Sequence, residues 1–171
     1  MYRIRLFFRR IYNLYRWFPI IWKDQDWDTH YIWEILKFKL TNQADYISFH
    51  DRHTRAQHDA KMMRLCVKLI NKIQDEYYEM EYMDYEDTKF EFIPSDHCEG
   101  CKELDIVTTR DNLNDYFKKY PLIYKRVMKE EMPFKIDTKR GIALNIGRIN
   151  HNRAKKILFN ILEQNIEGWW D

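Results

Sequence analysis

Glycine and proline are scarce in this chain, four of each in 171 residues. An all-β sandwich needs a turn every ~8–12 residues, so the shortage points away from one and towards long helices with few connections. Apolar runs approaching the ~18 residues of a membrane span are missing too, and no transmembrane helix is expected. Cysteines number three, an odd count that does not make a disulfide framework and suits a reducing cytosol. Residues 1–23 contain no acid, and arginines recur through them with no small-residue cleavage site after them, so a signal peptide is not expected either.

Against these absences, 45% of residues are hydrophobic and 16% aromatic, enough for one well-cored domain over 1–171. The net charge of +2 hides a strong polarity. Six Arg/Lys give 1–23 its positive charge, while 74–105 sets twelve acids against Lys89 and Lys102. Such polarity steers partners, or lets basic and acidic faces satisfy one another within the fold or across an oligomer.

The expected fold class is mainly α: an antiparallel helical hairpin or bundle with a small β-hairpin excursion near 88–108. "YRIRLFFRRIYNLYRWF" puts Ile4, Phe7, Phe8, Ile11, Leu14, Tyr15 and Phe18 on one stripe, a basic amphipathic helix over 1–18 ended by Pro19. Asp26 or Asp28 caps a second helix, whose inward face is Ile32, Ile35, Leu36, Leu40 and Ile47. After the break at "HDRHT", Met62, Cys66, Leu69, Ile70, Ile73, Tyr77 and Met80 form a second stripe, so 27–80 should fold as a helical hairpin. "TKFEFI" and "ELDIVTT" alternate apolar with polar residues and should pair as strands of an acidic insertion over 81–108. Helices over 110–171 follow, the first kinked or broken at Pro121. Trp169 and Trp170 are expected to pack on Trp27 or Trp33, because paired terminal aromatics are costly to expose.

The chemistry-bearing groups are few. His97, Cys98 and Cys101 in "HCEGC" resemble half of a zinc site, and zinc is the cofactor they would admit. A tetrahedral site stays one donor short, and the nearest candidate, Cys66, belongs to an apolar stripe; two free thiols at a hairpin tip are expected instead. His50 and Asp51 form an adjacent pair of the HD-phosphohydrolase kind, with His30 and Asp105 as possible companions, but they fall in an interhelix break where His and Asp cap helix ends. Asp24, Asp26 and Asp28 have calcium-loop spacing without its glycine or final glutamate. "RGIALNIGR" has the wrong glycine spacing for a phosphate loop, and there is no nucleophile elbow or HExxH. Enzyme activity has no positive support in these motifs.

Three roles suit the basic helix. Its stripe can dock on the helical hairpin, the preferred expectation because aromatic stripes at helical spacing usually belong to a core. Arg3, Arg5, Arg9, Arg10 and Arg16 can instead bind nucleic-acid phosphates beside stacking aromatics. An anionic membrane surface is the least favoured.

Phe18–Asp28 ("FPIIWKDQDWD"), His58–Lys61 ("HDAK") and Trp169–Asp171 ("WWD") resemble a set of small uncharacterised proteins of tailed bacteriophages. The resemblance covers both ends and roughly the first 75 residues, with 81–150 outside it, and brings no activity. It implies a phage-encoded protein made in the bacterial cytoplasm. The function expected is therefore a non-enzymatic phage accessory protein that binds a protein partner or itself. The alternative is a nucleic-acid or nucleotide binder using the arginine helix, including an anti-defence protein that sequesters a nucleotide signal.

Overall fold

A computed structural model describes residues 2–51, 53–95, 97–98, 100–129 and 138–170, with the Trp170 side chain left aside. The described residues are mainly helical, with one two-stranded antiparallel sheet, as the periodicities require. Contacts group the chain into two compact units, Met1–Gln74 with Leu158–Asp171, and Asp75–Ile157.

In the first unit, α1 (Tyr2–Ile21) precedes the antiparallel pair α2 (His30–His50) and α3 (Ala56–Gln74). Leu40, Ala44 and Ile47 of α2 are buried, as are Ala56, Ala60, Met63, Cys66, Ile70 and Ile73 of α3. Three fully buried alanines let the backbones approach closely. The N-cap of α2 is Thr29, without a side-chain capping bond, and not Asp26 or Asp28 as expected; Asp28, one residue earlier, accepts the His30 N–H at 2.8 Å. Asp51 closes it in the left-handed region at φ 43°, donating its N–H to the Ile47 carbonyl. Buried Asp59 draws in the turn between the helices, with His58 Nδ1 at 3.2 Å, Arg55 at 3.6 Å and His53 at 3.9 Å. From the C-terminal part of the chain come buried Leu158, Ile161, Leu162 and Trp169.

Several expectations are corrected. Pro19 does not end α1, which continues to Ile21, because a proline in the last turn removes only one helical bond. The second arm of the hairpin stops at Gln74 and not 80, since Glu76 adopts φ 50° and starts a new turn. Ile32 and Ile35 at the start of α2 stay exposed. Trp33 meets Phe159 with ring centroids 6.0 Å apart, while Trp27 is 80% exposed and is no partner for the buried Trp169. Asp171 lies outside the described residues.

The second unit begins with α4 (Tyr77–Met80) and a 3-10 segment, Glu81–Tyr85. Strands β1 (Glu86–Pro94) and β2 (Lys102–Asp111) follow, then α5 (Leu113–Lys119), α6 (Pro121–Lys129) and α7 (Lys139–Asn165). The chain breaks at Tyr120, and Pro121 takes the first position of α6, where its missing N–H costs nothing. α7 absorbs "RGIALNIGR", contributes its first part to this unit and its residues from Leu158 to the other. The core is Tyr82, Leu113, Tyr116, Phe117, Val127, Ala143 and Ile146. Phe117 and Tyr124 stack at 4.9 Å, and burial pushes the Tyr116 hydroxyl well above its ordinary range.

Glu81 is buried in this unit. Its carboxylate accepts hydrogen bonds from Lys119 Nζ at 2.5 Å and Tyr120 Oη at 2.6 Å. The hydrogen bond to Glu81 raises the Lys119 ammonium above its usual range, and burial followed by the same carboxylate raises Tyr120. Lys119→Met leaves the carboxylate with one neutral donor and should cost about 2–3 kcal/mol in urea unfolding, below the full cost of a broken buried pair because the lysine is half exposed. Adding Glu81→Gln should recover part of that loss. A second check is Gly147, where a Cβ would stand 2.7 Å from the Tyr78 carbonyl oxygen and 3.1 Å from Glu79 Cα. Gly147→Ala ordinarily favours a helix by about 1 kcal/mol; here it should lower stability by about 1–2 kcal/mol net, read by thermal melting.

Candidate functional site

β1 and β2 form an arm exposed on both faces almost throughout. Its base is tied down. Arg110 pairs with Asp87 at 2.9 Å and donates to the Asp84 carbonyl, and the Asn112 N–H reaches the Tyr85 carbonyl at 2.8 Å. Lys139 holds Asp111 at 2.7 Å, a hydrogen bond that keeps this carboxyl below its ordinary range. A register shift between Asp87 and Thr88 leaves Thr109 as the extra residue of a bulge, which twists the arm as it leaves the body.

Beyond the bulge the two faces differ in chemistry. Phe90 stands opposite Ile106, and Phe92 opposite Leu104. These four side chains make one apolar face, with Phe90 63% and Phe92 71% exposed. On the other face Lys89 stands opposite Val107, Glu91 directly opposite Asp105, and Ile93 opposite Glu103. Like charges facing across strands destabilise a hairpin, and neither Glu91 nor Asp105 has an ion-pair partner among the described residues. With only two strands, both edges also present unpaired backbone groups.

The tip carries the group that resembles half a zinc site. Cys98 and Cys101 are joined by a disulfide, so the expectation of two free thiols is corrected. Spacing alone fits thiols, a metal knuckle or a bond between neighbours; Gly100, at φ 81°, lets the chain turn tightly enough to bring the sulfurs together. An oxidised pair offers no thiolate to zinc. His97 is exposed beside it, its backbone N–H donating to Ser95 Oγ at 3.2 Å, and the Ser95 hydroxyl donates to Glu103. Among the described residues no three His, Cys, Asp or Glu side chains gather as a metal site.

The histidines and aspartates at the interhelix break are structural. His50 packs on Tyr46 and Phe49, Asp51 ends α2, and His30 meets Gln74 and Glu34. Asp105 belongs to the arm in the other unit.

Arg3, Arg5, Arg9, Arg10 and Arg16 all lie exposed on α1. Arg16 donates to Asn42 and lies 5.6 Å from the Phe38 ring. The expectation that the stripe docks on the helical hairpin is overturned, because no residue of α1 is buried and Phe7 is 60% exposed. α1 meets α2 on a different arc, through Trp17 against Phe38 at 4.7 Å and Arg16 on Asn42, and Leu6 and Ile20 on that arc are half-buried. Sequence reasoning also missed an open cleft of about 430 Å³ in the second unit, lined by Arg153 and Lys156 with Arg126, Leu122, Ile123 and Ile149. Only the shared spacing of Asn152, Arg153 and Lys156 along one helix hinted at it.

No protein-family profile, curated protein or solved structure matches this chain.

Thiol counting tests the tip and the core together. Burial pushes the Cys66 thiol up to about 11, so it should not react at neutral pH while folded. Native protein kept from reductant should show no reactive thiol with a chromogenic disulfide reagent. Unfolding without reductant should release one, and reduction should bring the count to the three cysteines of the sequence.

Proposed function

We propose that the chain is a non-enzymatic phage accessory protein that acts by binding a protein partner, with the β1–β2 arm as its contact. The observation carrying this reading is the arm's construction: an uncovered apolar face, two open edges and a like-charge pair that waits for neutralisation. Isolated two-stranded hairpins are marginal in water, so such an arm gains most when a partner covers it. Strand addition along an edge supplies backbone bonds, and pockets for alternate side chains supply selectivity. The matching partner segment is extended, apolar on one side and basic on the other. Self-association by stacked arms is disfavoured, because it sets acids against acids.

A second reading rests on the open cleft lined by Arg153 and Lys156 with Arg126, Leu122, Ile123 and Ile149, whose cations suit an anionic ligand such as a nucleotide. The arginines of α1 support nucleic-acid binding less well, because Arg16 is already engaged by Asn42 and Phe38 and most of the aromatics lie in the Phe7–Phe18 row, on a different arc from the arginines.

The experiment is quantitative capture from infected cells by the full chain and its variants. Phe92→Ser should weaken capture of the arm's partner about tenfold or more, the effect of a central apolar anchor. Glu91→Lys should weaken it and reduce its salt dependence. Capture unchanged by both substitutions would refute the arm. Nucleotide binding that is steeply salt-dependent and lost on Arg153→Glu would move the assignment to the cleft.

A further inference from the structure

α1 is an amphipathic helix held by its secondary face. At ~1.5 Å per residue its 20 residues span about 30 Å. Ile4, Phe7, Phe8, Ile11, Leu14, Tyr15 and Phe18 run along one side for that length, and all are exposed. Trp22 extends the row by one turn. Its N–H donates to the Phe18 carbonyl at 2.8 Å, its ring lies 5.1 Å from that of Phe18, and it is 75% exposed. The arc of Trp17, with half-buried Leu6 and Ile20, points about a third of a turn or more away.

The charge around the row identifies what covers it. Arg3 and Arg10 flank one side and Arg5 and Arg9 the other, while Arg16 turns to Asn42 and Phe38 of α2, and no acid occurs in residues 1–23. Long arginine stems can lie along an apolar surface while their guanidinium groups reach an anionic layer at its rim. Apolar depth in the middle and cations on both flanks is the arrangement of a helix lying in a lipid interface. Tryptophan prefers that depth, and exposed Trp22 and Trp27 follow directly after the stripe. No helix among the described residues is long and apolar enough to cross a membrane, so α1 lies along the surface. Pairing two copies of α1 row to row would bring like-charged flanks together.

We infer that α1 docks this protein on an anionic lipid bilayer, its Ile4–Trp22 row sunk among the acyl chains and Arg3, Arg5, Arg9 and Arg10 at the headgroups. The sequence prefers a docked stripe on the premise that such stripes are core, and the exposed row removes that premise. This attachment is independent of the arm and of what the arm binds.

The test is flotation of the full chain with vesicles of mixed phosphatidylglycerol and phosphatidylcholine, beside vesicles of phosphatidylcholine alone. Binding to the anionic vesicles should exceed binding to the neutral ones at least tenfold and fall as salt rises. Phe7→Glu with Ile11→Glu should abolish flotation while circular dichroism stays unchanged, since both residues are already in water. Arg5→Glu with Arg9→Glu should cut anionic binding about tenfold or more and leave the weak neutral binding in place. The inference is overturned by absent binding at low salt, by equal binding to both vesicles, or by full binding of the Phe7/Ile11 variant. Sedimentation showing self-association that the same variant abolishes, without flotation, would also overturn it and assign the row to a second copy.

Discussion

The second unit depends on one buried carboxylate. Glu81 leaves water only because Lys119 and Tyr120 close on it, and those two residues stand where α5 gives way to α6. A charge withdrawn from solvent costs several kcal/mol unless it is paired and hydrogen-bonded, so the contact fixes the 3-10 segment against the helical break. Much of the foot of the arm hangs from that segment, with Lys139 of α7 adding its own tie to Asp111. Tyr85 accepts the Asn112 N–H, Asp84 receives Arg110, and Tyr82 enters the aromatic core. A two-stranded sheet exposed on both faces cannot orient itself, and its direction is set by this polar clasp and the bulge above it.

Much of this was legible in the sequence, for identifiable reasons. Alternation in "TKFEFI" and "ELDIVTT" can be satisfied only by a strand pair, and the stripes of α2 and α3 demand a partner at helical spacing. Pro121 had to lie at a helix boundary or kink. What periodicity cannot supply is the identity of whatever covers a face. The α1 stripe looks the same whether it meets a core, a bilayer or water, and only coordinates show that α1 meets α2 through Trp17 and Arg16 on a different arc. Gly147 reads as a helix weakener until the Tyr78 carbonyl is found against it. Glu81 is one acid among twelve in its segment, and its burial is a tertiary fact. For Cys98 and Cys101 the spacing and the turn at Gly100 permit several outcomes, and only the joined sulfurs decide among them.

The charge polarity of the chain now has addresses. The basic stretch is a helix whose cations flank an apolar row, and the acidic stretch includes a strand pair whose carboxylates back an apolar face. In each case charge and uncovered hydrophobic surface sit side by side without mixing. On the readings proposed above, that pairing would separate two jobs: charge to select and steer an approaching surface, and the apolar row to hold it once water has left.

The facing carboxylates of Glu91 and Asp105 have a further consequence, for life at high concentration. An arm with two open edges and phenylalanines on one face is a template for runaway strand addition, the route by which identical hairpins build ribbons. Two adjacent negative charges at the middle of the arm act as gatekeepers, because each added copy would stack acid on acid. That repulsion works against edge-to-edge pairing of identical copies.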